Sequence, residues 1–224
     1  MIVLSRHSKE YYTQWFKNDK ILYAYNTRII DSKLDLSSQE RLELLDFKGD
    51  SVLLGANCAL LYRKGIDMII QALPYLNNYK LFVVGHGTEK ENLQKLAKDL
   101  NVANRVFFAG FKLNAYRYLR YYDIYVMPSR SEGFPLSLLE AASVGKNIVC
   151  SEIPAFKEFF SFDEILMFTL DDRISLIDSI KKVTNNTKMQ ENVKQRFIRD
   201  YSPECAYNRY VHLYAKAINE KNPK

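Results

Sequence analysis

Short apolar runs alternate with helix-patterned segments from about residue 51 to residue 168, and this alternation constrains the fold more than any other feature. SVLLGAN (51–57), KLFVVG (80–85), RVFFAG (105–110), DIYVMPS (123–129), NIVCS (147–151) and EILMF (164–168) read as strands. Between them lie KGIDMIIQALPYL, with Ile66, Ile69, Ile70 and Leu73 at helical spacing, and TEKENLQKLAKDL, with Leu93, Leu96, Ala97 and Leu100 on one face. AYRYLRYY, PLSLLEAASVG and PAFKEFF are the remaining helical segments. Thr88 and Glu91 stand at capping-box spacing. Strands of this length separated by helices build β-α-β units and a parallel sheet covered on both faces. The expected fold is a doubly wound α/β domain over about 50–170.

The flanks differ. DRISLIDSIKKVTNN, KMQENVKQRFIRDY and PECAYNRYVHLYAKAINEK read as three helices, with Pro203 separating the last two. Residues 171–224 are therefore expected to be C-terminal helices packed on the sheet domain. In the first 49 residues IVLS and KILYAYN fit short strands, SKEYYTQWF a helix, and SSQERLELLDF a helix capped by Ser37 or Ser38.

Composition limits the function classes. No stretch approaches the roughly 18 apolar residues of a membrane-spanning helix, and the N-terminal apolar run is too short for a signal peptide. Cys58, Cys150 and Cys205 are far apart and odd in number, which fits free thiols in a reducing compartment such as the cytoplasm. His7, His86 and His212 are equally scattered, so no metal site is expected. Net charge is +6, and five of the six excess charges fall within 51–150. That distribution favours an anionic small ligand or surface there, and it also fits a mildly basic solvated face.

Ligands of parallel α/β sheets collect at the carboxyl ends of the strands, and four segments are expected on that edge. Arg63 and Lys64 precede Gly65 after the first strand. A guanidinium fork beside a compact ammonium suits a diphosphate, although two solvated charges at a helix start fit the same residues. Gly85, His86 and Gly87 form part of a dinucleotide fingerprint, with Lys90 where the third glycine belongs. This turn is a weak sign of an NAD-dependent oxidoreductase and fits any nucleotide lying close to a backbone turn. Gly110 and Phe111 offer a backbone edge and an aromatic wall for a base, or a plain turn. Finally, SEGFPLSLLEAASVG (131–145) places Pro135 at a first helical position. The N–H groups of Phe134, Leu136 and Ser137 would then face an anion, with Gly133 admitting a ligand to the backbone. Glu140 would stand more than a turn into the helix, where a carboxylate can accept both hydroxyls of a ribose, and Glu132 in the loop. A helix with an ordinary acidic start is the alternative. The basic and tyrosine residues of AYRYLRYY fit a solvated helix face better than a nucleic-acid surface.

In order, RKGID, FVVGHG, VFFAGF and DIYVMPSRSEGFPLSLLEAASVGKNIV resemble the C-terminal half of retaining glycosyltransferases with two Rossmann-like domains, the GT-B fold, and specifically family four. The resemblance covers about residues 50–160 and rests most on Glu132 and Glu140, with seven residues between them. It implies a donor-binding half for a nucleotide-sugar, UDP- or GDP-linked, without a metal or other cofactor. Glu140 would bind the ribose and Gly133, Phe134, Pro135, Leu136 and Ser137 the phosphate and transferred sugar. Glu132 would contact that sugar as the catalytic residue. Arg63 and Lys64 would neutralise the diphosphate, and Gly87 and Phe111 would border the nucleotide. Ala59 departs from the pattern, since many relatives carry arginine there. The resemblance also implies an acceptor-binding N-terminal domain, which these residues do not contain. Residues 1–49 are then expected to derive from the inter-domain segment, and the chain to be either a truncated form of such an enzyme or one whose other domain a separate partner chain supplies. The acceptor would be a glycan or a lipid-linked saccharide of surface polysaccharide, O-antigen or lipopolysaccharide synthesis. The enzyme is expected in the cytoplasm, near the inner face of the membrane. A non-catalytic nucleotide-sugar-binding module needing a partner is the second expectation.

Overall fold

Six runs of β-branched, aromatic and aliphatic residues become one parallel sheet in the computed structural model, which describes residues 1–31, 33–184 and 186–221. A separate pair of two-residue parallel strands, β1 (Ile2–Val3) and β2 (Leu22–Tyr23), precedes it. The main strands are β3 (Val52–Asn57), β4 (Tyr79–Val84), β5 (Val106–Gly110), β6 (Ile124–Met127), β7 (Asn147–Ser151) and β8 (Leu166–Phe168). Their spatial order is β5-β4-β3-β6-β7-β8, all neighbours parallel.

Nine helices are described: α1 (Arg6–Tyr12), α2 (Ser38–Lys48), α3 (Ile66–Ala72), α4 (Lys90–Asp99), α5 (Leu136–Ser143), α6 (Pro154–Lys157), α7 (Arg173–Val183), α8 (Thr187–Tyr201) and α9 (Pro203–Lys221). AYRYLRYY forms a 3-10 helix over Ala115–Tyr121 rather than an α-helix. Along each strand successive side chains enter opposite cores, as a period of two requires. Leu53, Phe82, Tyr125, Met127, Ile148 and Cys150 pack with α5 and α8 on one face. Leu54, Leu81, Val83, Ile124, Val126 and Val149 pack with α3, α4 and α7 on the other. With both faces covered, a strand can be apolar throughout, which is why the sequence shows runs and not alternation.

Capping follows the sequence at α2, where Ser37 and Glu40 form the reciprocal box. It departs at α4. The expected box of Thr88 and Glu91 does not form, and the helix starts at Lys90 behind Glu89 with no side-chain cap. The cause is the preceding turn. The Glu89 N–H donates to Leu60 O at 3.0 Å and the Lys90 N–H to Gly87 O at 3.3 Å, so the chain bends one residue too late for Thr88 to cap it.

Strand order reverses between β3 and β6, because β3 continues through β4 to β5 on one side and β6 through β7 to β8 on the other. Loops leaving β3 and β6 therefore diverge around a crevice at their carboxyl ends, which is where doubly wound sheets take ligands.

Candidate functional site

Backbone contacts lock the two loops at that crevice together. Gly65, between the 3-10 turn Tyr62–Lys64 and α3, has φ of +69°, and a Cβ there would lie 1.9 Å from Pro128 O. Only glycine meets both conditions. The Arg130 N–H donates to Arg63 O at 2.7 Å, and the Arg130 guanidinium holds both oxygens of Asp67, at 2.9 and 2.7 Å, while lying over the Tyr62 ring. Burial works against that guanidinium's charge, but the Asp67 hydrogen bonds outweigh it and hold it firmly protonated. Ser151 Oγ donates to Ser129 O, fixing the start of the β6 loop to β7.

This frame brings Arg63 and Lys64 onto Glu132. Lys64 Nζ is 2.5 Å from Glu132 Oε1, Arg63 Nη1 is 3.6 Å from Oε2, and Ser129 Oγ donates to Oε1 at 2.7 Å. The Lys64 and Glu132 side chains are 12% and 6% exposed, whereas Arg63 is half-exposed. A carboxylate thus fills the centre of the cationic loop. Arg63 and Lys64 lie in the 3-10 turn ahead of α3, so the Lys64 charge is met by Glu132.

The EGFP segment differs in one detail from the sequence expectation. Pro135 is the residue before α5 and Leu136 its first residue. The Leu136 N–H is not free, since it donates to Phe134 O at 3.0 Å. With Pro135 at φ −86° and ψ 70°, these atoms close an inverse γ-turn, a geometry that ends the loop before the helix begins. The amides of Phe134 and Ser137 have no protein partner among the described residues. The Phe134 ring packs edge-on against Phe159 at 5.2 Å, and Gly133 has open space where a Cβ would stand.

Glu140, one turn further along α5, faces a different neighbourhood. A cavity of about 280 Å³ is lined by Asn57 at the end of β3 and Cys58 after it, Gly85 and His86 after β4, Phe111, Lys112 and Ala115 after β5, and Glu140 itself. Phe111 is 75% exposed, an apolar wall presented to solvent. Gly87 does not line the cavity. A Cβ there would lie 2.2 Å from Leu60 O, so its lack of a side chain serves packing between two loops. Burial raises the Glu140 carboxyl above the usual carboxylate range, and Arg28, whose Nε is 3.0 Å from Oε1, opposes that shift. Asn57 is held by Tyr122, whose hydroxyl donates to Oδ1 at 2.9 Å, while its own Nδ2 donates to Ala115 O.

Arg28, Ser129, Asn57 and Lys112 were not legible as site residues. Asn57 alone carried a local signal, a polar residue ending a buried strand. Among the described residues no three His, Cys, Asp or Glu side chains gather as a metal-binding group, and no helix is long and apolar enough to cross a membrane. A second, open cavity of about 330 Å³ joins Gly133 and Phe134 to Met1, Ile2, Val3, Leu4, Ser8 and Tyr12.

Residues 45–199 match the family described as glycosyl transferases group 1. The chain is 33% identical over 220 residues to the O-antigen biosynthesis glycosyltransferase WclY of Escherichia coli, covering 98% of this chain and 61% of that protein. It is 28% identical over 176 residues to the lipopolysaccharide core biosynthesis glycosyltransferase LpsE of Rhizobium meliloti, covering 76% of this chain and 52% of LpsE. The chain thus spans between half and two thirds of the length of these curated relatives. Among solved structures, Anabaena HepE in complex with UDP and glucose superposes with a TM-score of 0.85 at 18% identity, over 96% of this chain and 62% of that one. Sucrose-phosphate synthase from Thermosynechococcus elongatus gives 0.83 at 20% identity, over 98% and 58%. At such identities the structural likeness speaks for the fold, the Rossmann-like half of a GT-B protein.

Proposed function

The chain belongs to the group 1 glycosyl transferases, and from that premise we propose that it is the donor-binding part of a retaining hexosyltransferase. It takes a UDP- or GDP-linked sugar and passes the sugar to a glycan or lipid-linked acceptor of surface polysaccharide, O-antigen or lipopolysaccharide synthesis. The observation that carries this reading is the convergence, at one crevice, of the Lys64–Glu132 pair, the start of α5 and the cavity ending at Glu140.

In this reading the base lies against Phe111 in the cavity and Glu140 accepts the ribose hydroxyls. The Ser137 and Phe134 amides meet the phosphates, joined by Arg63 and Lys64. Negative charge grows on the diphosphate as the sugar leaves, so preorganised cations and helix-start amides stabilise the transition state more than the ground state. That assigns the diphosphate charge to protein groups and calls for no metal. Glu132 then exchanges its contact with Lys64 for one with the sugar.

The acceptor site belongs to the part of the relatives' length, from two-fifths to about half, that these residues do not span, in a separate N-terminal domain or chain. The setting is the cytoplasm, at the inner face of the membrane. The same partial coverage favours a second reading, a nucleotide-sugar-binding module that is active only with such a partner. Calorimetric titration of the folded chain with UDP, GDP and ADP sugars tests the proposal. Binding of a pyrimidine or guanine diphosphate sugar supports it, and no binding by any of them contradicts it.

A further inference from the structure

Resting on the donor-site reading above, we infer that Arg28 is a positioning residue for the nucleotide, presenting the Glu140 carboxylate so that it accepts the ribose hydroxyls. Glu140 is 13% exposed, and its one charged partner among the described residues is Arg28. The Arg28 Nε takes Oε1, while Oε2 accepts no hydrogen bond among the described residues and Glu140 borders the cavity. One oxygen is therefore steered and the other left for a ligand.

The segment carrying Arg28 is anchored rather than free. Thr27 Oγ1 donates to Tyr201 O at 2.6 Å, and the Tyr25 ring packs on Phe159 and Tyr201 at 5.1 and 5.6 Å. Tyr201 ends α8, which packs on α5, so the arginine and its glutamate are fixed to the same body. Deprived of Arg28, Glu140 would lose its paired cation and keep only the other titratable groups around it. These are the buried Tyr125 hydroxyl beneath it and Cys58, His86 and Lys112 around the cavity, Lys112 being paired with Glu40 at 3.6 Å. Burial would then favour the protonated carboxyl, which can accept fewer hydroxyls.

The test is the affinity of wild type, Arg28→Gln, Arg28→Lys, Glu140→Gln and the Arg28→Gln/Glu140→Gln double variant for uridine and for UDP, measured from about pH 6 to pH 8. Thermal melting verifies that each variant is folded, and His86→Asn controls for the imidazole that borders the cavity. Arg28→Gln is expected to weaken uridine and UDP alike by about tenfold, most at the acid end. Arg28→Lys should restore part of the loss, and the Arg28 effect should vanish in the Glu140→Gln background. Unchanged affinity, a loss with the wild-type pH profile, or a loss for UDP alone overturns the inference while leaving the donor site intact. Failure of wild type to bind either compound overturns the inference and the donor-site reading together. If Glu140→Gln alone binds normally, the ribose assignment falls and the inference falls with it.

Discussion

Lys64 Nζ and Glu132 Oε1 are 2.5 Å apart, although 68 positions separate the residues, and both side chains are largely buried. The pair places an anion on the cationic loop before any nucleotide arrives. Removing one member of such a pair leaves the other charge uncompensated. Glu132→Gln should therefore destabilise the ligand-free chain by about 3 kcal/mol. A bound diphosphate supplies the missing anion, so UDP should raise the melting temperature of this variant more than that of wild type. Melting curves with and without UDP check both parts.

Gly65→Ala meets two obstacles at once, a φ of +69° and a Cβ 1.9 Å from Pro128 O. Left-handed strain alone costs about 1–3 kcal/mol, and the clash moves the β6 loop. The variant should lose stability by at least that strain in urea titration and bind UDP more weakly, because Lys64 and Glu132 ride on the two loops it separates.

Glu140 predicts the opposite trade. Burial raises its carboxyl, so the folded state disfavours the ionised form that the unfolded chain adopts. Its cost to stability is therefore present above the ordinary carboxylate range and disappears as pH falls below it. Glu140→Gln should melt higher than wild type at neutral pH, converge with it in acid, and lose UDP binding. Melting temperature against pH, alongside one titration, measures all three.

Glu40 works with the reverse sign. Burial raises its carboxyl, but hydrogen bonds from the Ser37 amide, the Tyr118 hydroxyl and the Ser37 hydroxyl, with Arg117 nearby, bring it from 4.5 down to about 2. Its contribution is complete above the unfolded value of 4.5 and is lost as pH falls towards about 2. Glu40→Gln should be less stable than wild type at neutral pH, with the difference shrinking through that acid window in a melting series.

The sheet was readable because each of its strands is an apolar run bounded by turn residues, and such a run fits a strand buried on both faces. EGFP was readable as a helix start for a similarly local reason. The one-residue shift at Pro135 was hidden, because the Phe134–Leu136 turn depends on a ψ of 70° that no residue type announces. The missing cap at Thr88 was hidden for another reason, since a contact with Leu60 sets the bend. Arg63 and Lys64 were visible as cations, yet their engagement with Glu132 is a contact between loops 68 positions apart. Arg28 carried no signal at all. It meets Glu140 across 112 positions because the segment before α2 folds back onto the end of α8.

The Arg63–Lys64 loop and the start of α5 are proposed to hold a nucleotide diphosphate. The most direct measurement is calorimetric affinity for UDP and for uridine with wild type and with Lys64→Ala. Wild type should prefer UDP, and Lys64→Ala should lose about 1.5–3 kcal/mol of UDP binding while binding uridine as before. Equal affinities for UDP and uridine in wild type, or an unchanged UDP affinity in a folded Lys64→Ala, would contradict that proposal.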